Sequence, residues 1–226
     1  MLTAFDSATA RSYNLQTGRY NSHHRCFLPF QARTAVDSFP ILTAEEFAVL
    51  GAGDDEDLDL QRAELLQGRL TVLQAPDLIH GAVVLNFSKA LAAYLHKSPD
   101  EPGYAAFEIG LIVSRGPDTV RRPPVSVFVG GERFAELDRT VTETRPALVI
   151  EIASTNDRRR MMRDRVESYF NWGLRTVWVV DTTEKIVHGI QQGKQPRIYS
   201  GDQSIPGSPV FADFKLPVRE LFVMPE

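Results

Sequence analysis

The sequence predicts an α/β fold built on a mixed β-sheet, and three features carry that expectation. Leu148–Ala153 is apolar throughout apart from Glu151, the pattern of a strand buried on both faces. Ser154, Thr155 and Asn156 follow directly and offer capping side chains for a helix over residues 157–172, which Gly173 ends. Residues 176–180, Thr-Val-Trp-Val-Val, then read as a second buried strand. With a longer helix and several strands upstream, the order is helix, strands, helix, strands, as in layered α/β proteins.

The remaining elements follow from local chemistry. Residues 1–40 are polar and show no clean period, so they read as an extension to a domain spanning residues 41–226. His23, His24 and Cys26 lie in that extension, too few and too irregularly spaced for a zinc site. Thr43 caps a short helix whose first turn carries Glu45 and Glu46, acids suited to the positive helix end. Residues 51–59 are acidic and glycine-containing and read as an exposed loop. Gln67-Gly68 separates two short apolar runs over residues 63–73, a tight-hairpin signal.

Pro76-Asp77 opens a long helix. Ile79, Val83, Phe87, Ala90, Leu91 and Tyr94 recur along it at three- and four-residue steps and define its apolar face. His80 sits in its first turn, where a hydrogen-bonded structural histidine is the ordinary reading. The helix ends over residues 99–103, and two strand-like runs, 104–108 and 111–114, are separated at Gly110. Residues 115–118 form a turn. Residues 125–129 form a strand that Gly130-Gly131 breaks, and residues 186–190 and 197–199 form a trailing antiparallel pair.

Composition limits the function classes. The 226 residues are 43% hydrophobic and 24% charged, ordinary for a soluble domain. A net charge of −4 gives no global attraction to nucleic acid or membrane, so any polyanion must meet a local basic patch. The single Cys26 cannot form an internal disulfide, which fits a reducing compartment. No apolar run is read as a membrane span, and residues 1–35 lack a secretory stretch; a cytoplasmic protein without a membrane partner is expected.

The chemistry gathers around Glu151. A carboxylate inside a buried apolar strand is costly unless it is paired or bound to a metal. Arg158, Arg159, Arg160, Arg163 and Arg165 all follow on the next helix. Arg158, Arg159 and Arg160 lie at that helix's N-terminus, which itself favours anions, and are the candidate nucleic-acid-binding residues.

An ordered set of segments resembles the Uma family of restriction endonucleases, a branch of the PD-(D/E)xK nuclease superfamily. The segments are residues 42–47 (LTAEEF), 63–70 (AELLQGRL), His80, 120–125 (VRRPPV), 146–154 (PALVIEIAS), Tyr169, Gly173, 177–181 (VWVVD) and 214–222 (FKLPVRELF). The resemblance spans residues 42–222 and implies a restriction-endonuclease-like mixed sheet flanked by helices. It further implies a metal-dependent phosphodiesterase acting on DNA through Mg²⁺ or Mn²⁺, with water activated at the metal. Carried over, Glu151 matches the strand acid, Glu64 the hairpin acid and His80 the helix histidine.

Two positions depart from the family pattern. Pro124 stands where the pattern has an aspartate, and Arg165 where it has a lysine on the helix. Proline offers no ligand atom, and arginine keeps its proton near neutral pH, so it cannot serve as a general base, though it can stabilise negative charge. The catalytic candidates are Glu151, Arg165 and His80; the metal-ligand candidates are Glu151, Glu64 and Glu108, with Glu108 or Ser126 as substitutes for the lost aspartate. Divalent ions are expected to bind weakly, and Glu151 and Arg165 to pair directly. Three functions follow: a working endonuclease, homodimeric if it cuts both strands; a non-cutting nucleic-acid binder; or an assembly subunit on the same fold.

Overall fold

Thr43 and Glu46 cap each other at the start of helix α1 (Ala44–Leu50): the Thr43 hydroxyl accepts from the Glu46 N–H at 3.2 Å, and the Glu46 carboxylate accepts from the Thr43 N–H at 2.8 Å. The computed structural model describes residues 41–50, 62–97, 103–130, 135–136, 139–207 and 209–225. The expectations for residues 1–40, the 51–59 loop, residues 99–102 and Gly131 lie outside the described residues.

The Gln67-Gly68 hairpin forms between β1 (Ala63–Leu66) and β2 (Arg69–Val72). Both turn residues take positive φ, 49° and 76°, the geometry a two-residue turn needs to match strand twist. Helix α2 (Leu78–Lys97) follows, and Asp77 accepts from the His80 N–H at 2.8 Å at its first turn. Val83, Phe87 and Leu91 face inward as expected, but Ile79 is exposed and His80 and Ala82 take inward positions instead. α2 is long and apolar enough to cross a membrane by length and composition. Its buried stripe instead packs in the core with Val125, Ile150, Trp178 and Leu221.

The expected mixed α/β architecture is present, and the described strands divide it into two larger mixed sheets and a small antiparallel pair. The remaining strands are β3 (Gly103–Phe107), β4 (Gly110–Ser114), β5 (Thr119–Arg121), β6 (Val125–Val129), β7 (Val141–Thr142), β8 (Leu148–Ala153), β9 (Thr176–Asp181), β10 (Ile186–Gln191), β11 (Arg197–Ser200), β12 (Ser204–Pro206) and β13 (Lys215–Pro217). The five-stranded sheet runs β2-β1-β5-β4-β7 and the six-stranded sheet β11-β10-β9-β8-β6-β3, while β12 and β13 pair alone. Helix α3 (Asn156–Asn171) connects β8 to its parallel neighbour β9.

The chain changes sheet between β3 and β4. Glu108 sits at the crossing with φ 54°. Gly110, just beyond it, has no room for a side chain: a Cβ there would meet the Val141 and Val120 methyls at 2.8 and 2.9 Å. Strands adjacent in sequence therefore end in different sheets, and their interior ends bring both sheets against α3.

Candidate active site

Glu64 and Glu151 arrive from different sheets. Glu151, on β8, is fully buried and shares a face of the sheet with Val149, which packs against Met162 and Tyr169 of α3. Glu64, on β1, is also fully buried and points away from its neighbour Leu65, which belongs to a separate apolar cluster with Phe47 and Val120. The Leu65–Val120 register places Arg121 across from Glu64 on β5, and its guanidinium donates to Glu64 Oε2 at 3.1 Å.

Arg165 joins the two acids. Its Nε and Nη2 donate to Glu151 Oε1 at 2.9 and 2.7 Å, and its Nη1 donates to Glu64 Oε2 at 2.6 Å. The Tyr169 hydroxyl donates to the same Glu151 oxygen at 2.5 Å. The Arg122 backbone N–H donates to Glu64 Oε1 at 2.7 Å. Arg165 and Tyr169 are four residues apart and so lie one turn apart on one face of α3. That helical spacing was the signal that could have marked Tyr169, and the strand register the one for Arg121.

Charge and burial act together here. Burial alone raises the Glu64 carboxyl, but Arg165, Arg121 and the Arg122 N–H outweigh it and hold its pKa below the ordinary value. Burial lowers the Arg165 guanidinium; Glu151 and Glu64 overcome that and raise it well above its usual value. Burial and the neighbouring Glu151 push the Tyr169 hydroxyl well up, so it remains a donor.

Two oxygens on this side of the six-stranded sheet are left over. Glu151 Oε2 and Ser126 Oγ are buried with no hydrogen-bond partner among the described residues. The β6–β8 register sets Ser126 opposite Val149 and, one step further, Pro124 opposite Glu151. Pro124 thus stands beside the acid and contributes no ligand atom.

His80 approaches from α2. Its Nδ1 lies 3.2 Å from Ser154 Oγ, at the end of β8, and its Nε2 is buried without a partner among the described residues. Burial and then the charge of Arg158 press its pKa down to about 4, against a small opposing pull from Asp77. It is a neutral imidazole at pH 7.

The other sequence candidates separate. Glu108 is exposed at the sheet crossing and lies outside the Glu64–Arg165–Glu151 set, within electrostatic reach of Arg122 and Arg158. The expected arginine row is not one surface. Arg158 is buried and turned toward the acids, with its Nε unpartnered among the described residues. Arg159 donates to Ala153 O, Thr183 Oγ1 and Asn156 Oδ1, fastening the end of β8. Arg160 is exposed. Successive helix positions point about 100° apart, which disperses a run of three.

A family model, Uma2, described as "Putative restriction endonuclease", matches residues 44–219. Among solved structures, the crystal structure of a "putative nuclease belonging to DUF820" from Anabaena variabilis is similar over 71% of this chain and 89% of its own. The TM-score is 0.60 and the identity 19%, a likeness of fold. No curated protein matches the chain.

Proposed function

The chain belongs to the Uma2 family of restriction-endonuclease-type proteins, and we propose that this member binds DNA on its nuclease fold without cutting it. Arg165 between Glu64 and Glu151 is the observation that carries this reading. A divalent cation of the kind the family implies needs several hard oxygen donors and a net negative site. Here both Glu64 oxygens and one Glu151 oxygen already accept from N–H or O–H donors. Two guanidinium groups balance the two carboxylates, and Pro124 adds none. Among the described residues no three His, Cys, Asp or Glu side chains are grouped to hold a metal. The donor set does not fit a resident Mg²⁺ or Mn²⁺.

DNA as the partner is supported by family membership and by Arg158, a buried cation at the head of α3 that faces this site. The protein's acidic balance confines such contact to the mouth of the site.

A second reading, a working endonuclease, has one observation in its favour: the orphan oxygens of Glu151 and Ser126 on adjacent strands. One experiment separates the two. Duplex DNA binding by anisotropy, with plasmid nicking in Mg²⁺ and in Mn²⁺, is expected to give salt-sensitive binding and no nicking. Metal-dependent nicking that Glu151→Gln abolishes would establish the second reading. Absence of DNA binding would leave the assembly role.

A further inference from the structure

We infer that a cavity beside the edge strand β3, which shares Arg122 with the Glu64–Arg165–Glu151 cluster, is a pocket for a single guanine base, with Glu136 as its reader. The cavity holds about 460 Å³, within the usual range for small-molecule sites. Phe107, Glu108, Arg122, Glu136, Arg139 and Thr140 are among its lining residues. Glu136 is the unusual one: it is 4% exposed, and neither carboxylate oxygen has a hydrogen-bond partner among the described residues. A buried carboxylate in that condition is a standing cost to the fold. Two arginines line the same cavity, yet neither satisfies those oxygens. What the carboxylate lacks is a pair of adjacent N–H donors.

Guanine supplies that pair. Its N1–H and N2–H point in parallel along one edge, at the spacing of the two oxygens of a carboxylate, which can accept both. Adenine, cytosine and uracil do not present two adjacent ring-edge donors of this kind. Phe107, 42% exposed on the edge strand, offers a ring for stacking, the usual way an unpaired base is held. Arg122 and Arg139 bring positive charge for the guanine carbonyl or an attached phosphate. The inference deepens the DNA-binding reading, on which it rests for the source of the base: an unpaired guanine in a strand that reaches the site.

The full chain is titrated by calorimetry with GMP, AMP, CMP and UMP, and with guanidinium chloride as a cation probe. GMP is expected to bind about tenfold or more tightly than the other three, and Glu136→Gln to remove that preference. Relieved of an orphan charge, the Glu136→Gln protein is expected to melt at or above the wild-type temperature, which keeps loss of binding distinct from loss of fold. Absence of GMP binding, equal binding of all four nucleotides, or a preference that survives Glu136→Gln overturns the inference. So does guanidinium binding with GMP's affinity, which would mark a cation site. Duplex binding without guanine selectivity sinks the pocket alone; guanine selectivity without duplex binding sinks the DNA-binding reading and leaves the pocket.

Discussion

Arg165 places two of its nitrogens on a single oxygen of Glu151 and the third on Glu64, so one side chain from α3 ties the two sheets together through two fully buried acids. Removing one member of a buried pair costs about 3–5 kcal/mol, because the partner's charge is stranded. Arg165→Met strands the Glu151 carboxylate and takes one of two guanidinium partners from Glu64, and is expected to cost about that much. Glu151→Gln is expected to cost less, since Arg165 keeps Glu64. The double variant should recover part of the Arg165→Met loss, because Glu64 retains Arg121 and the Arg122 N–H. Thermal and urea melts of the three proteins without metal check this; small, additive effects would move weight to an acid site open to a cation.

The same pairing sets the expectation for metals. Wild-type protein titrated with Mn²⁺ is expected to give no saturable heat at millimolar concentration. Pro124→Asp places an acid opposite Glu151 in the β6–β8 register. Alone it should help little while Arg165 holds both glutamates. Combined with Arg165→Lys, whose shorter point charge cannot span both acids with a planar fork, it should create measurable Mn²⁺ binding. Tight stoichiometric binding by the wild type would contradict the ion-pair account.

The parts of the fold readable from sequence are those fixed by local chemistry. Gly68 announces its turn because glycine takes a positive φ without steric cost between two short apolar runs. β8 and the α3 cap are similarly local, with Thr155 accepting from the Arg158 N–H at 3.2 Å. The division into two sheets is not local: residues 104–108 and 111–114 read as two strand-like runs separated at Gly110, and only the pairing of β3 with β6 and of β4 with β5 and β7 reveals the crossing. In the site, the Glu151–Arg165 pair followed from the cost of a buried charge. Glu64's share of Arg165 depends on the meeting of two sheets across 101 residues of sequence, which no local pattern encodes.

The three arginines at the head of α3 give separable outcomes. Arg159→Ala should lower stability by about 1 kcal/mol for its lost hydrogen bonds and leave the salt dependence of DNA binding unchanged. Arg158→Ala should reduce the salt slope by about one unit, because its guanidinium faces the site. An equal change in slope from all three would restore the single basic surface expected from the run of arginines.

His80 makes stability depend on pH in a window of its own. Folded, its pKa lies near 4; unfolded, near 6.5. Below 6.5 the unfolded chain takes up a proton that the folded imidazole refuses, so stability is complete above that pH and falls as pH drops toward 4. The full difference is about 3 kcal/mol at most. His188, also lowered by burial, acts in the same direction, so the contribution of His80 is read as the difference between wild type and His80→Gln. Glu64 loses its stabilisation only at lower pH, as its depressed carboxyl begins to protonate. Urea midpoints between pH 7.5 and 4.5 should therefore fall more steeply for the wild type than for His80→Gln, with the curves converging at the acid end. Parallel curves would mean that the folded His80 takes up its proton as readily as the unfolded chain does, and a wild-type curve that falls less steeply than that of His80→Gln would mean that His80 is charged and paired with a carboxylate rather than resting neutral against Ser154.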